Sequence, residues 1–159
     1  MKRLKLTLVS TIAIFLVAIA LCQICEWCGL PEQNQVEVVR KLAGWNLTFA
    51  FLCVQVVVVM PAIEEMLFRF PTRFLKHPAY AVALSAVFSF CHYIDFTRLF
   101  AGRGFDLLPL SNAFLALFVV ALGWCWLYRR TQCIWCTMLS HGIFNAINLV
   151  LALVLPAST

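Results

Sequence analysis

The sequence predicts an all-α fold, a polytopic membrane bundle of about five transmembrane helices. Three observations predict it. Of 159 residues, 64% are hydrophobic and 12% charged, with a mean hydropathy of +0.93, far from the roughly half apolar, quarter charged balance of a soluble domain. The apolar residues fall in runs long enough to cross a bilayer at about 20 residues per crossing. The stretches between the runs are short, so residues 1–159 read as a single integral membrane domain and any function must lie among the helices.

The first segment, residues 6–25, follows the basic start "MKRLK" and has the outline of a signal peptide, with "AIA" at 18–20 as a cleavage site. The apolar run continues through Leu21 and Ile24, which favours a retained helix. The polar stretch "EWCGLPEQNQVEVVRKLAGWN" contains Gly29 and Pro31 and reads as an external loop with a short amphipathic piece. A glycosylation sequon at Asn46 abuts the membrane and is discounted. The second segment spans 47–70 and ends in "FRFPTRFLKHP"; the third spans 79–96, the fourth 110–128 and the fifth 133–155. His77, beside Pro78, reads as a loop residue.

Charge supplies the orientation. With the amino terminus in the cytoplasm, Lys2, Arg3, Lys5, Arg69, Arg73, Lys76, Arg129 and Arg130 fall on the cytoplasmic side, against Arg40, Lys41, Arg98 and Arg103 on the other. This bias predicts an amino terminus inside, a carboxyl terminus outside and residence in the cytoplasmic membrane. The net charge of +5 is spread over short loops, so nucleic acid is not an expected partner. Trp45, Trp124, Trp126 and Trp135 lie near span ends and read as interfacial anchors. Eight cysteines include Cys22, Cys25 and Cys28, and Cys133 with Cys136. No His or carboxylate completes a four-ligand set near them, so structural zinc or a structural disulfide is not the favoured use.

"PAIEEMLFRF" at 61–70 breaks the apolar pattern with Glu64, Glu65 and Arg69. Each ionisable group at bilayer depth costs about 2.5–3.5 kcal/mol on insertion scales, so such groups face a bundle interior and pair there. Headgroup snorkelling accounts for the arginine but poorly for two adjacent glutamates. At about 100° per residue, Glu65 and Arg69 share a face while Glu64 lies roughly 140° from Arg69. Glu65 is thus the ion-pair partner and Glu64 is left for other work. Pro61 removes an amide donor and kinks the helix beside them.

Two further segments carry polar stripes. Ser85, Ser89 and His92 recur at i, i+4, i+7, and Thr137, His141, Asn145 and Asn148 at i, i+4, i+8, i+11. Taken singly, either stripe suits helix-to-helix hydrogen bonding. Together with Glu64 they supply a carboxylate, two imidazoles and a carboxamide, an inventory suited to hydrolysis. A carboxylate and an imidazole can deprotonate water, and imidazole and amide N–H donors can stabilise an oxyanion.

The motifs Glu64-Glu65-x-x-x-Arg69, Phe88-x-x-x-His92 and His141-x-x-x-Asn145, in this order on successive spans, resemble those of the CAAX-protease and bacteriocin-processing (Abi) family of intramembrane glutamic endopeptidases. The resemblance covers the core region 61–145. It implies a helical membrane bundle whose site opens toward the cytosol and an endopeptidase acting on a membrane-associated protein or peptide. By the same resemblance, Glu64 and His92 activate the hydrolytic water, His141 and Asn145 form the oxyanion site, and Glu65 with Arg69 support the geometry. A metal-free site with no cofactor is preferred over the alternative, zinc held by Glu64, His92 and His141. One span precedes the glutamate motif where family members often carry more, so prenylated CAAX substrates are not implied.

A non-enzymatic immunity or assembly factor, binding a peptide through the same polar cluster, is the competing class. A proton or ion path would need a continuous polar route, which the first and fourth segments do not offer. Residue counting also sets a geometric requirement: His92 lies about 20 Å past Ala79, but His141 only about 12 Å past Cys133.

Overall fold

A computed structural model describes residues 1–31, 43, 46–94 and 99–154. Among the described residues, five helical rods run in the order the apolar segments predict. The first is α1 (Lys2–Trp27). The second is continuous through α2 (Leu47–Val54), a π-helical turn (Gln55–Val59) and α3 (Met60–Phe68), closing in a 3₁₀ turn (Phe70–Arg73). Then come α4 (Pro78–Cys91), α5 (Ala113–Thr131) and α6 (Ile134–Val154). Most of the polar loop at 26–46, with Arg40, Lys41 and Trp45, and Arg98 in the next loop, lie outside the described residues.

Four of the rods are long and apolar enough to cross a membrane, and α4 is not. This corrects the third segment, expected over 79–96. Its 14 residues rise about 21 Å against a hydrocarbon core of about 30 Å. The helix stops because Tyr93 and Ile94 turn into a short antiparallel contact: Leu108 N–H donates to Tyr93 O at 2.7 Å, and Ile94 bridges Leu107. The Tyr93 hydroxyl also pairs with Ser111 Oγ at 2.8 Å. His92 consequently lies at a helix end rather than in mid-span. His77 caps α4, its Nδ1 accepting from Ala79 N–H.

The hub is α5, which packs against α1, α4 and α6. Its buried face carries Ala116, Val120, Ala121, Trp124, Leu127 and Tyr128 at helical spacing. Trp124 is therefore a correction: it is 1% exposed and part of the core, whereas Trp126 and Trp135 are exposed as interfacial anchors would be. The serine stripe of α4 faces α5, with Ser89 Oγ donating to Phe114 O at 3.0 Å and Ser85 Oγ 3.7 Å from Cys125 Sγ. Arg129 Nη2 donates to the carbonyls of Leu75 and His77, clamping the α3–α4 connection. The first segment is an uninterrupted helix joined to the bundle through buried Thr7, Thr11, Ala18 and Cys25.

The π turn has a covalent cause. Pro61 has no N–H, and Met60 N–H is bound to Gln55 O, so the Val56 carbonyl lacks its intrahelical donor. On the other side, α6 approaches this turn closely at Gly142. A Cβ there would sit 2.6 Å from Val57 O.

Candidate active site

Three rods bring the ionisable residues together. Glu65 and Arg69 of the second rod are fully buried, one turn apart, with Glu65 Oε1 3.4 Å from Arg69 Nε. Glu64, on the adjacent face, is 15% exposed. This is the division that 100° per residue requires. His141 of α6 reaches both carboxylates, with Nδ1 3.0 Å from Glu65 Oε1 and Nε2 3.5 Å from Glu64 Oε2. His92, at the end of α4, places Nε2 4.0 Å from Glu64 Oε1. Upright rods starting at one level would leave the two imidazoles about 8 Å apart in depth; their meeting at Glu64 means that α4 and α6 are tilted or offset relative to each other.

Hydrogen bonding orients the rings. His92 Nδ1 lies 2.9 Å from Phe88 O, and a carbonyl can only accept, so Nδ1 carries a proton and Nε2 faces Glu64. His141 Nδ1 lies 3.0 Å from Glu65 Oε1, the same oxygen that is 3.4 Å from Arg69 Nε. The His92 side chain is 21% exposed and that of His141 only 3%, so the site opens on the Glu64–His92 side. A separation of 4.0 Å between Glu64 and His92 is too long for a hydrogen bond. It admits a water about 2.8 Å from both atoms.

The guanidinium nitrogens of Arg69 have no hydrogen-bond partner among the described residues, and neither has Glu65 Oε2. Aromatic faces hold the guanidinium instead: its carbon lies 4.3 Å from the Phe88 ring centre and 5.2 Å from that of Trp124. Trp124 also stacks on His141, with centroids 3.8 Å apart and planes at 24°. Its Nε1–H donates to Ser140 Oγ at 3.1 Å, and Ser140 Oγ is 2.8 Å from Thr11 Oγ1 of α1. Ser140 and Thr11 escaped the sequence reading, and Trp124 was read there only as an interfacial anchor. The signal for Trp124 was its i+4 spacing from Val120 and to Tyr128 on one face of α5.

Asn145 lies one turn beyond His141 and donates through Nδ2 to Val56 O at 2.9 Å. The carboxamide has a second N–H. The rest of the α6 stripe divides: buried Thr137 bonds Ile134 O, while Asn148 is exposed and bonds Phe144 O of its own helix. Asn148 is thus no part of an inward polar face. Among the described residues, no group of three His, Cys, Asp or Glu side chains is arranged to hold a metal ion, Glu64, His92 and His141 included.

The chain is a helical bundle with long apolar rods in which one carboxylate and two imidazoles converge. The family model of the type II CAAX prenyl endopeptidase Rce1-like proteins matches residues 45–147, about two thirds of the chain, and the chain belongs to this family. By that membership it is a CAAX-type intramembrane protease and an integral membrane protein. Neither the curated proteins nor the solved structures compared with it gave a match.

Proposed function

We propose that this chain is a glutamic intramembrane endopeptidase. It cuts a peptide bond of a membrane-associated protein or peptide near the cytoplasmic leaflet of the cytoplasmic membrane, with its amino terminus on that side. The observation that carries the proposal is the convergence of His92 Nε2 and His141 Nε2 on opposite oxygens of Glu64, at 4.0 and 3.5 Å.

A water between Glu64 Oε1 and His92 Nε2 gives up a proton as its oxygen attacks the scissile carbonyl, and the same pair returns a proton to the leaving amine. The buried charges suggest where the oxyanion is met. Glu64 and Glu65 carry two negative charges and Arg69 one positive, so one further proton, shared between Glu64 Oε2 and His141 Nε2, neutralises the cluster. With that proton on His141, Nε2–H donates to the developing oxyanion. The second N–H of Asn145 donates beside it. Glu65 holds His141 by Nδ1, and Arg69 lies 3.4 Å from Glu65 on the same helix face. No step of this scheme passes through zinc.

Comparative membrane proteomics of cells carrying the wild-type chain or Glu64→Gln tests the proposal. A precursor that accumulates only with the variant, while the variant remains inserted and stable, is the expected result. Cleavage retained by Glu64→Gln removes Glu64 from the mechanism, and biological protection that survives Glu64→Ala with His92→Ala assigns the cluster to peptide binding without turnover.

A further inference from the structure

Helix α1 (Lys2–Trp27) lies outside residues 45–147, so the family match says nothing of what it does. Much of its surface is apolar and exposed, as at Leu8, Val9, Ile12 and Leu16. Its buried face is different: Thr7 and Thr11 carry hydroxyls into the bundle at 0% and 2% exposure. A buried hydroxyl costs free energy unless it is bonded, so an aliphatic side chain would pack there more simply. Thr7 is satisfied within its own helix, Oγ1 donating to Arg3 O at 2.9 Å. Thr11 has the Thr7 carbonyl within the same reach, at 2.8 Å, but also lies 2.8 Å from Ser140 Oγ of α6.

From Ser140 the contacts lead to an imidazole of the site. Ser140 Oγ accepts the Trp124 Nε1–H at 3.1 Å, and the indole of Trp124 stacks on His141 with centroids 3.8 Å apart and planes at 24°. An indole has one donor and no acceptor, so the group that takes its N–H sets the rotation of the ring. That group is Ser140, fully buried and held from its other side by Thr11. Packing from α1 supports the same level. Ile14 lies against Gly123, the neighbour of Trp124, and Phe15 is edge-on to Phe144, which is edge-on to Trp124.

We propose that Thr11 is a positioning residue of the hydrolytic site, acting through Ser140 and Trp124 on the ring of His141, and that α1 is therefore a working part of the peptidase. The proposal rests on the reading of His141 as the donor to the oxyanion. Its physical basis is that a stacked ring restricts the imidazole to the plane in which Nδ1 meets Glu65 and Nε2 faces Glu64. Without the Thr11 hydroxyl, Ser140 Oγ loses one of its two neighbours, the indole loses its fixed acceptor, and His141 samples orientations that miss the oxyanion. Cleavage at the "AIA" of 18–20 would remove Thr11 from the chain, so the role also requires that α1 be retained.

Nuclear magnetic resonance reads the ring directly. The chain has three histidines, so 13C-labelled histidine in the full chain in detergent gives three imidazole signals, and the one lost in His141→Gln is that of His141. The stacked indole shifts this signal by its ring current, and Trp124→Leu marks its position without the stack. Thr11→Val keeps the shape and removes the hydroxyl. It should move the His141 signal toward the Trp124→Leu position, whereas Thr11→Ser should leave it as in the wild type. In Trp124→Phe, which has no N–H to anchor, Thr11→Val should move it no further. Turnover of the precursor that accumulates with Glu64→Gln should fall about three- to tenfold in Thr11→Val, in kcat rather than KM, and recover in Thr11→Ser. Ser140→Ala cuts the same line from α6 and makes the same comparison should Thr11→Val fail to insert. The proposal is overturned if the His141 signal does not move in Thr11→Val, if it moves as far in Thr11→Ser, or if the Thr11→Val effect adds in full to that of Trp124→Phe. It is also overturned if turnover is unchanged while the signal moves, or if the mature chain begins after Ala20. Failure of the proteolytic reading looks different: no precursor accumulates with Glu64→Gln, while the His141 signal still follows the side chain at position 11.

Discussion

Asn145 Nδ2 donates to the carbonyl oxygen of Val56 at 2.9 Å, occupying the acceptor that Pro61 leaves without an intrahelical donor. A proline in one transmembrane rod and a carboxamide in another are thus complementary. The missing amide of the first is supplied by the side chain of the second, and the bond fixes Asn145 one turn from His141.

Replacing Pro61 with alanine restores an N–H that competes for the freed carbonyls of the π turn. Pro61→Ala should keep or raise thermal stability in detergent while lowering peptide cleavage by about tenfold or more, because Asn145 loses its anchor. Asn145→Ala, in contrast, should cost both activity and about 1–3 kcal/mol of stability, since the Val56 carbonyl is then stranded. Melting temperature and precursor accumulation, measured on the same variants, separate the two outcomes.

Gly142 and Gly123 should respond differently to alanine. At Gly142 the new Cβ meets the Val57 carbonyl oxygen, backbone that cannot step aside, at 2.6 Å. Gly142→Ala should destabilise the fold by about 1–3 kcal/mol and disturb the register that seats Asn145. At Gly123 the nearest atom is Ile14 Cγ1 at 2.8 Å, part of a side chain that can rotate, so the loss there should be smaller.

Arg69 is held by charge and by aromatic faces rather than by directed hydrogen bonds. Arg69→Ala strands the Glu65 carboxylate in the bundle and should cost about 3–5 kcal/mol. Arg69→Lys should rescue only part of this, because an ammonium lacks the planar face that lies on Phe88 and Trp124. Unchanged folding and cleavage in Arg69→Ala would dismiss the pairing.

Trp124 covers one face of His141 and fixes the Ser140 hydroxyl beside it. Trp124→Phe retains an aromatic face and loses the N–H donor, whereas Trp124→Leu loses both. Cleavage should fall in the order wild type, Phe, Leu, with the drop in kcat rather than KM, because the ring orients the imidazole proposed to meet the oxyanion. Equal effects of the two variants would assign Trp124 to packing alone.

Much of this arrangement was legible in the sequence. Apolar runs separated by short basic loops are enough to predict the helical membrane bundle, because lipid demands that each crossing satisfy its own backbone. The cost of burying charge singles out Glu64, Glu65 and Arg69, and helical periodicity puts Glu65 rather than Glu64 on the face of Arg69. These are local properties, set by residue type and angular spacing along one rod. Tertiary structure decided the rest: the early end of α4 at Cys91, the relative placement that brings His92 and His141 to one carboxylate, the stacking of Trp124 on His141, and the use of Asn145 to satisfy Val56. Each depends on where one rod lies against another, and periodicity within a helix carries no information about its depth or tilt relative to its neighbours.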